Sequence, residues 1–206
     1  PAFDPAAFLA GVLTHDPGMY PKRLLLEEAR ALGVAILPVD VNASGAEYRV
    51  ERLDPGARTL GEARPPADPD LPDGTGYGIR VALADVKGIS EEEVARIVAG
   101  APYESLTDVW TRARPSRPVL ERLVLVGALD AVHGTGTTGG GLGHRGRLTR
   151  RDLLLHVAEL DRWSRASGRG ARPRRSGKGA SVPAAGWVGD GMPGAQQVRQ
   201  RLTRLL

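Results

Sequence analysis

The stretch Val86-Lys87-Gly88-Ile89-Ser90-Glu91-Glu92-Glu93-Val94 constrains this chain more than any other. Ser90 stands three residues before Glu93, the spacing at which a serine and a glutamate cap a helix start reciprocally. Val94, Ile97 and Val98 then mark one apolar helical face. Before the turn, Ile79, Val81, Leu83 and Val86 make a second short apolar segment. The pattern predicts a helix-hairpin-helix, with Gly88 where a side chain would obstruct the turn. Such a hairpin aims backbone N–H groups outward at a helix start, where a phosphate can bind without any side-chain base. Lys87, Gly88, Ile89 and Ser90 are the candidate contacts. Locally, two readings stand open: a grip on a nucleic-acid backbone, or a plain connection between packed helices.

The chain has 206 residues, room for one medium domain or two small ones. It has no Cys, which excludes disulfides and Cys-based zinc sites and fits a reducing compartment, so a cytoplasmic location is expected. No apolar run approaches the roughly 20 residues that span a bilayer, so no membrane role is expected. Pro1 opens the chain without a methionine, which suggests a piece of a longer protein. Aromatics are 4%, leaving few stacking platforms for single strands. The net charge of +4 conceals a division. Residues 1–133 hold 14 Lys and Arg against 20 Asp and Glu, a net −6; residues 134–206 hold 14 against 4, a net +10. A basic Gly-rich tail reads as polyanion-binding or unstructured, and the two are compatible.

Helix grammar recurs along the chain. Asp4-Pro5 is an N-cap followed by a first-position proline, with Phe8, Leu9, Val12 and Leu13 on the apolar face. Pro21 opens a second helix that carries Leu24, Leu25, Ala29 and Leu32 and stops at Gly33. Val34 to Val41 is β-branched and extended, with Pro38 ending it or placing it at a sheet edge. Residues 54–76 are rich in Pro, Gly and Asp and read as a loop after a short hairpin near Tyr48 to Leu53. Ser105-Leu106-Thr107-Asp108 and Ser116 with Pro118 open two more helices, so residues 79–132 read as helical with short turns, a tandem helix-hairpin-helix. Thr149 to Asp152 caps a helix with Leu153, Val157 and Leu160 on one face. After Ser164 the composition predicts disorder, with a final short helix over Ala195 to Leu205.

Tyr20-Pro21, Ala29 to Val34 and Leu37 to Ser44 resemble the fingers region of bacterial C-family replicative polymerases, the alpha subunits of DNA polymerase III. Tyr77 to Arg80, Val86 to Ile89, Pro102-Tyr103, Asp108 to Trp110 and Arg117 to Asp130 are similar to that family's helix-hairpin-helix segment, in order and spacing. The similarity is greatest to the error-prone, damage-tolerant branch. The helix from Arg150 to Ser164 and the fragment Gly191-Met192-Pro193 also resemble that branch, while residues 134–148 and 168–190 depart from it. The expected fold is therefore mainly α. A helical fingers-like segment over 1–53 has one short extended stretch. A linker over 54–76 precedes a helix-hairpin-helix DNA-binding unit over 77–133 and a largely disordered basic tail over 134–206 with one helix near 149–164.

The resemblance implies a non-catalytic segment of an error-prone DNA-directed DNA polymerase, in replication and translesion repair synthesis. Its Mg²⁺-binding carboxylates would lie upstream, with no catalytic or metal residue here. DNA is the implied partner, with sliding clamp and other translesion proteins engaged through other parts. Arg80, Lys87, Arg96, Arg114 and Arg117 are the candidate phosphate neighbours, each also readable as a solvated surface charge. A stand-alone helix-hairpin-helix adaptor and a non-functional polymerase remnant are the alternatives. Other motifs carry less. Gly134, Gly136 and Gly139 fit G-x-G-x-x-G but follow a helix and run into more glycine, where a nucleotide fold needs a strand. Asp68-Pro69-Asp70 sits in a proline-rich loop, unlike carboxylates held rigidly for two metals. His15, His133, His144 and His156 are dispersed. Glu91 to Glu93 read as compensation of the helix dipole, a negative charge that opposes a bound phosphate.

Overall fold

The computed structural model describes residues 4–15, 18–66, 68–135 and 148–170. The chain separates into two compact units, Pro1–Leu154 and Leu155–Leu206. Among the described residues, seven α-helices and a small sheet follow in the order α1 (Pro5–His15), α2 (Lys22–Ala31), β1 (Ala35–Leu37), β2 (Arg49–Arg52), β3 (Tyr77–Arg80), α3 (Glu91–Gly100), α4 (Leu106–Arg112), α5 (Arg117–Val126), α6 (Asp130–His133) and α7 (Arg150–Gly170).

The helix boundaries follow the local chemistry. Asp4 accepts from the N–H groups of Ala6 and Ala7 at 3.0 and 3.1 Å and starts α1 ahead of Pro5. Helix α2 ends where Gly33 takes φ +80°; Gly33 N–H donates to Arg30 O and Val34 N–H to Ala29 O, the paired bonds of a Schellman stop. Gly127, φ +85°, ends α5 the same way, with Ala128 N–H on Leu123 O. Ser105 Oγ accepts from Asp108 N–H at 3.1 Å, and Thr149 and Asp152 cap α7 reciprocally. That helix continues through Gly170, six residues beyond the boundary that composition set at about Ser164. The expected helix over 195–205 and the Gly136–Gly139 part of the glycine motif lie outside the described residues.

The sheet has the order β1-β3-β2. β3 runs parallel to β1, pairing Ile79 with Ile36, and antiparallel to β2, pairing Ile79 with Val50. Strand β1 stops before Pro38, as the proline requires. Tyr77–Arg80 is thus a strand, and only a single 3-10 turn, Leu83–Asp85, precedes the hairpin. This corrects the expectation of helix from residue 79: four residues with partners on both sides make a central strand, whose ladder lies far away in sequence. One apolar core gathers Ala6, Leu9, Ala10 and Leu13 of α1 with Ala29, Val34, Ile36, Tyr48 and Ile79. In the helical part Ile97, Leu106, Val109, Leu120, Leu123 and Leu129 are fully buried.

Two polar junctions tie the sheet region to the helices. The Asn42 side chain pairs with the Tyr103 backbone in both directions: its Nδ2 donates to Tyr103 O at 2.9 Å and its Oδ1 accepts from Tyr103 N–H at 2.7 Å. The Tyr103 hydroxyl in turn donates to Ile97 O, at the end of α3 (2.8 Å). Asp130 forms the second junction. Its buried carboxylate, 3% exposed, takes Arg58 from the long loop, Arg150 from the start of α7, and the Thr135 hydroxyl. Burial pushes the Asp130 pKa up, but the hydrogen bonds from Arg150 and Thr135 and the two positive charges outweigh it, so the group sits below the ordinary aspartate value.

Candidate nucleic-acid interface

The hairpin is built by one turn and one cap. Ile89 N–H donates to Val86 O at 3.1 Å and closes the turn, with Gly88 at its third position at φ +78°. An L-residue there would be strained, so glycine is what the turn demands. Ser90 N–H donates to Glu93 Oε2 (3.1 Å) and Glu93 N–H to Ser90 Oγ (3.2 Å), the complete capping box that the spacing predicts. The N–H groups of Ile89 and Ser90 are therefore engaged within the fold. Those of Lys87 and Gly88 have no partner among the described residues. Both residues are exposed, as is the Lys87 ammonium, which makes no ion pair there.

Arg122 completes this tip and was not among the residues singled out from sequence. It reaches from the second turn of α5, and its Nη1 donates to Lys87 O at 2.5 Å. A Cβ at position 88 would collide with that same guanidinium. Two cations, Lys87 and Arg122, thus accompany two unengaged amides at one exposed turn. The only signal for Arg122 in sequence is its place one helical turn beyond Pro118, which says nothing of where α5 lies.

The other predicted arginines divide. Arg80 makes a bidentate pair with Glu51 (2.6 and 3.0 Å) and also donates to Pro38 O, so its guanidinium is engaged in fastening the sheet. Arg96 donates to Ala113 O at 2.9 Å and to Arg114 O at 3.5 Å, capping the end of α4. Arg117 pairs with Glu121 at 2.7 Å on its own helix. Arg114 is exposed and its side chain makes no hydrogen bond or ion pair among the described residues; its φ of +48° is the one positive value outside glycine there. It tops the connector between α4 and α5.

Glu93 does more than cap α3. Its Oε1 accepts from Ser116 N–H at 2.7 Å, the N-cap position of α5. The carboxylate is 8% exposed. Burial pushes its pKa up, and the hydrogen bonds from Ser116 and Ser90 overcome this, so it titrates below an ordinary glutamate. The negative charge that sequence placed beside the phosphate site is spent inside the fold, while Glu91 and Glu92 remain exposed. Elsewhere, Asp68 Oδ1 accepts from Asp70 N–H in a surface turn (3.0 Å). His133 Nε2 accepts from Leu106 N–H at 3.1 Å. No group of three or more His, Cys, Asp or Glu that could hold a metal ion occurs among the described residues. No described helix is long and apolar enough to cross a membrane.

This geometry, a glycine hairpin leading from a 3-10 turn into α3 and followed by the α4–α5 helix pair, meets its counterpart in known proteins. The helix-hairpin-helix motif family matches residues 33–138, and the chain belongs to that family. Relatives named error-prone DNA polymerase extend the match. That of Symbiobacterium thermophilum is 40% identical over 136 residues, 63% of this chain and 12% of that protein. That of Azoarcus sp. is 36% identical over 135 residues, 64% of this chain and 11% of that protein. That of Sinorhizobium medicae is 28% identical over 205 residues, 94% of this chain and 16% of that protein. The resemblance to a segment of the error-prone branch of the bacterial C-family polymerases therefore holds. The chain spans between a tenth and a sixth of the length of these relatives.

Proposed function

We propose that this segment grips the backbone of duplex DNA, independently of sequence, within an error-prone DNA polymerase acting in replication and translesion synthesis. The observation that carries this is the tip of the hairpin: unengaged amides of Lys87 and Gly88 flanked by the Lys87 ammonium and the Arg122 guanidinium. A phosphate oxygen accepts hydrogen bonds and carries charge, and both needs are met there without reading any base. Lys87, Gly88 and Arg122 are the primary contacts, with Arg114 on the second connector. Arg80, Arg96 and Arg117 hold the scaffold. Ile89 and Ser90 shape the turn.

The two Mg²⁺ ions of nucleotidyl transfer belong to other parts of the polymerase in this reading. The two buried carboxylates are already committed: Asp130 is filled by two arginines and a hydroxyl, and Glu93 by two helix starts. Engagement of a sliding clamp or translesion partners is likewise assigned to other parts, and a cytoplasmic setting follows from the role. The test is fluorescence anisotropy of the 206-residue chain with two duplexes of unrelated sequence. Equal affinities that fall steeply with salt, and drop together in a Lys87→Ala/Arg122→Ala variant, are expected. Binding to one sequence alone, or unchanged binding by the variant, overturns the proposal.

A further inference from the structure

We infer that Glu93 is a positioning residue that makes the two connectors of the helix-hairpin-helix unit act as one DNA-gripping surface. The inference deepens the duplex-grip reading above and rests on it. Its basis is one buried carboxylate shared between two helix starts: Oε2 serves Ser90 at the first hairpin, and Oε1 takes Ser116 N–H at the end of the second connector. Three residues on, Arg96 holds the beginning of the same connector through Ala113 O and Arg114 O. Positions i and i+3 of α3 therefore clasp both ends of residues 113–116, one through its N–H and one through its carbonyls. Between those fixed ends Arg114 is lifted into the left-handed region with its side chain exposed.

The chemistry requires a carboxylate. Each oxygen accepts, and each faces donors. In Glu93→Gln one end becomes an NH₂ group, which turns a donor toward a donor at either Ser90 or Ser116. One helix start loses its partner, and the α4–α5 connector loses its register against the first hairpin. The inference also predicts a sign. Removing a negative charge near a phosphate strengthens DNA binding if charge is all that matters, as is expected for the exposed Glu91 and Glu92. Removing a positioning group weakens it.

The experiment measures binding of the full chain to a labelled 20-base-pair duplex by anisotropy across a salt series. Wild type is compared with Lys87→Ala, Arg114→Ala and Glu93→Gln, and with Glu93→Gln combined with each alanine variant. In wild type, Arg114→Ala flattens the log K against log salt slope by about 0.9, the value for one phosphate. Glu93→Gln should flatten it equally, and adding Arg114→Ala should change nothing more. Lys87→Ala should keep its full effect in both backgrounds, which a general loss of folding would not allow. Ser116→Pro is the companion variant: φ at Ser116 is −64°, which proline accepts, and the ring both removes the N–H and pushes Cδ against Glu93 Oε1. It should reproduce the effect of Glu93→Gln on the Arg114→Ala slope while Glu93 keeps its charge. Tighter binding by Glu93→Gln, or an equal Arg114→Ala effect in both backgrounds, overturns the inference. A Lys87→Ala variant that binds like wild type refutes the hairpin grip itself, and the inference with it.

Discussion

Gly88→Ala tests the hairpin with the smallest possible change. The residue sits at φ +78°, where an L-side chain costs about 1–2 kcal/mol. The new Cβ also meets the Arg122 guanidinium, which is the flexible end of a side chain and moves away rather than straining the backbone. Moving it breaks the 2.5 Å bond to Lys87 O. That bond is exposed, so its loss adds about 0.2–1 kcal/mol. The sum is about 1–3 kcal/mol. With a urea dependence of about 2 kcal/mol per molar, the unfolding midpoint should fall by about 1 M. Arg122→Ala removes only the second contribution and should lower the midpoint by less than about 0.5 M. The duplex affinity should drop in both variants, since each loses a cation from the tip. A Gly88→Ala midpoint within about 0.2 M of wild type would refute the left-handed turn as the reason for glycine.

Further outcomes follow from neighbouring features. Arg114→Gly relieves a strained φ and should raise stability by about 0.5–1 kcal/mol in urea melts while weakening duplex binding, a split that a purely structural arginine would not show. Glu93 and Asp130 both titrate below their ordinary values of 4.5 and 3.8 when folded. Below those values the unfolded chain takes up protons first, so their contribution is full at neutral pH and is lost as pH falls through the folded pKa values. Urea midpoints measured from neutral pH downward should therefore decline in acid, and Asp130→Asn should flatten the decline. Residues 171–206 carry 7 Lys and Arg and 1 Asp. Deleting them should make duplex affinity less salt-dependent while circular dichroism of the remainder retains its helical signal.

What could be read from sequence was what a few neighbouring residues decide. Asp4 before Pro5, Ser90 with Glu93, Ser105 with Asp108 and Thr149 with Asp152 each complete a cap within three or four positions. Gly33 and Gly127 each end a helix by their own φ. What escaped depends on partners far along the chain. Tyr77–Arg80 resembles the start of a helical unit until β1 and β2 are placed on either side of it. Arg80 looks like a free cation until Glu51 is opposite it. Arg122 is an ordinary surface arginine until α5 lays it over Gly88, 34 residues earlier in the chain. Glu93 was legible as a cap and not as a strut, because Ser116 lies 23 residues away. The candidate site is thus a local motif, visible in sequence, finished by long-range contacts that were not.

The most direct test of the hairpin grip is an amide-resolved NMR titration of the ¹⁵N-labelled chain with duplex DNA. Lys87 and Gly88 carry the amides left unengaged, and Ile89 and Ser90 carry those already bonded to Val86 O and Glu93. Saturable downfield shifts at Lys87 and Gly88, larger than those at Ile89 and Ser90 and absent in Gly88→Ala, are the predicted result. Binding that leaves the Lys87 and Gly88 amides unmoved, with the shifts gathered elsewhere in the chain, would contradict it.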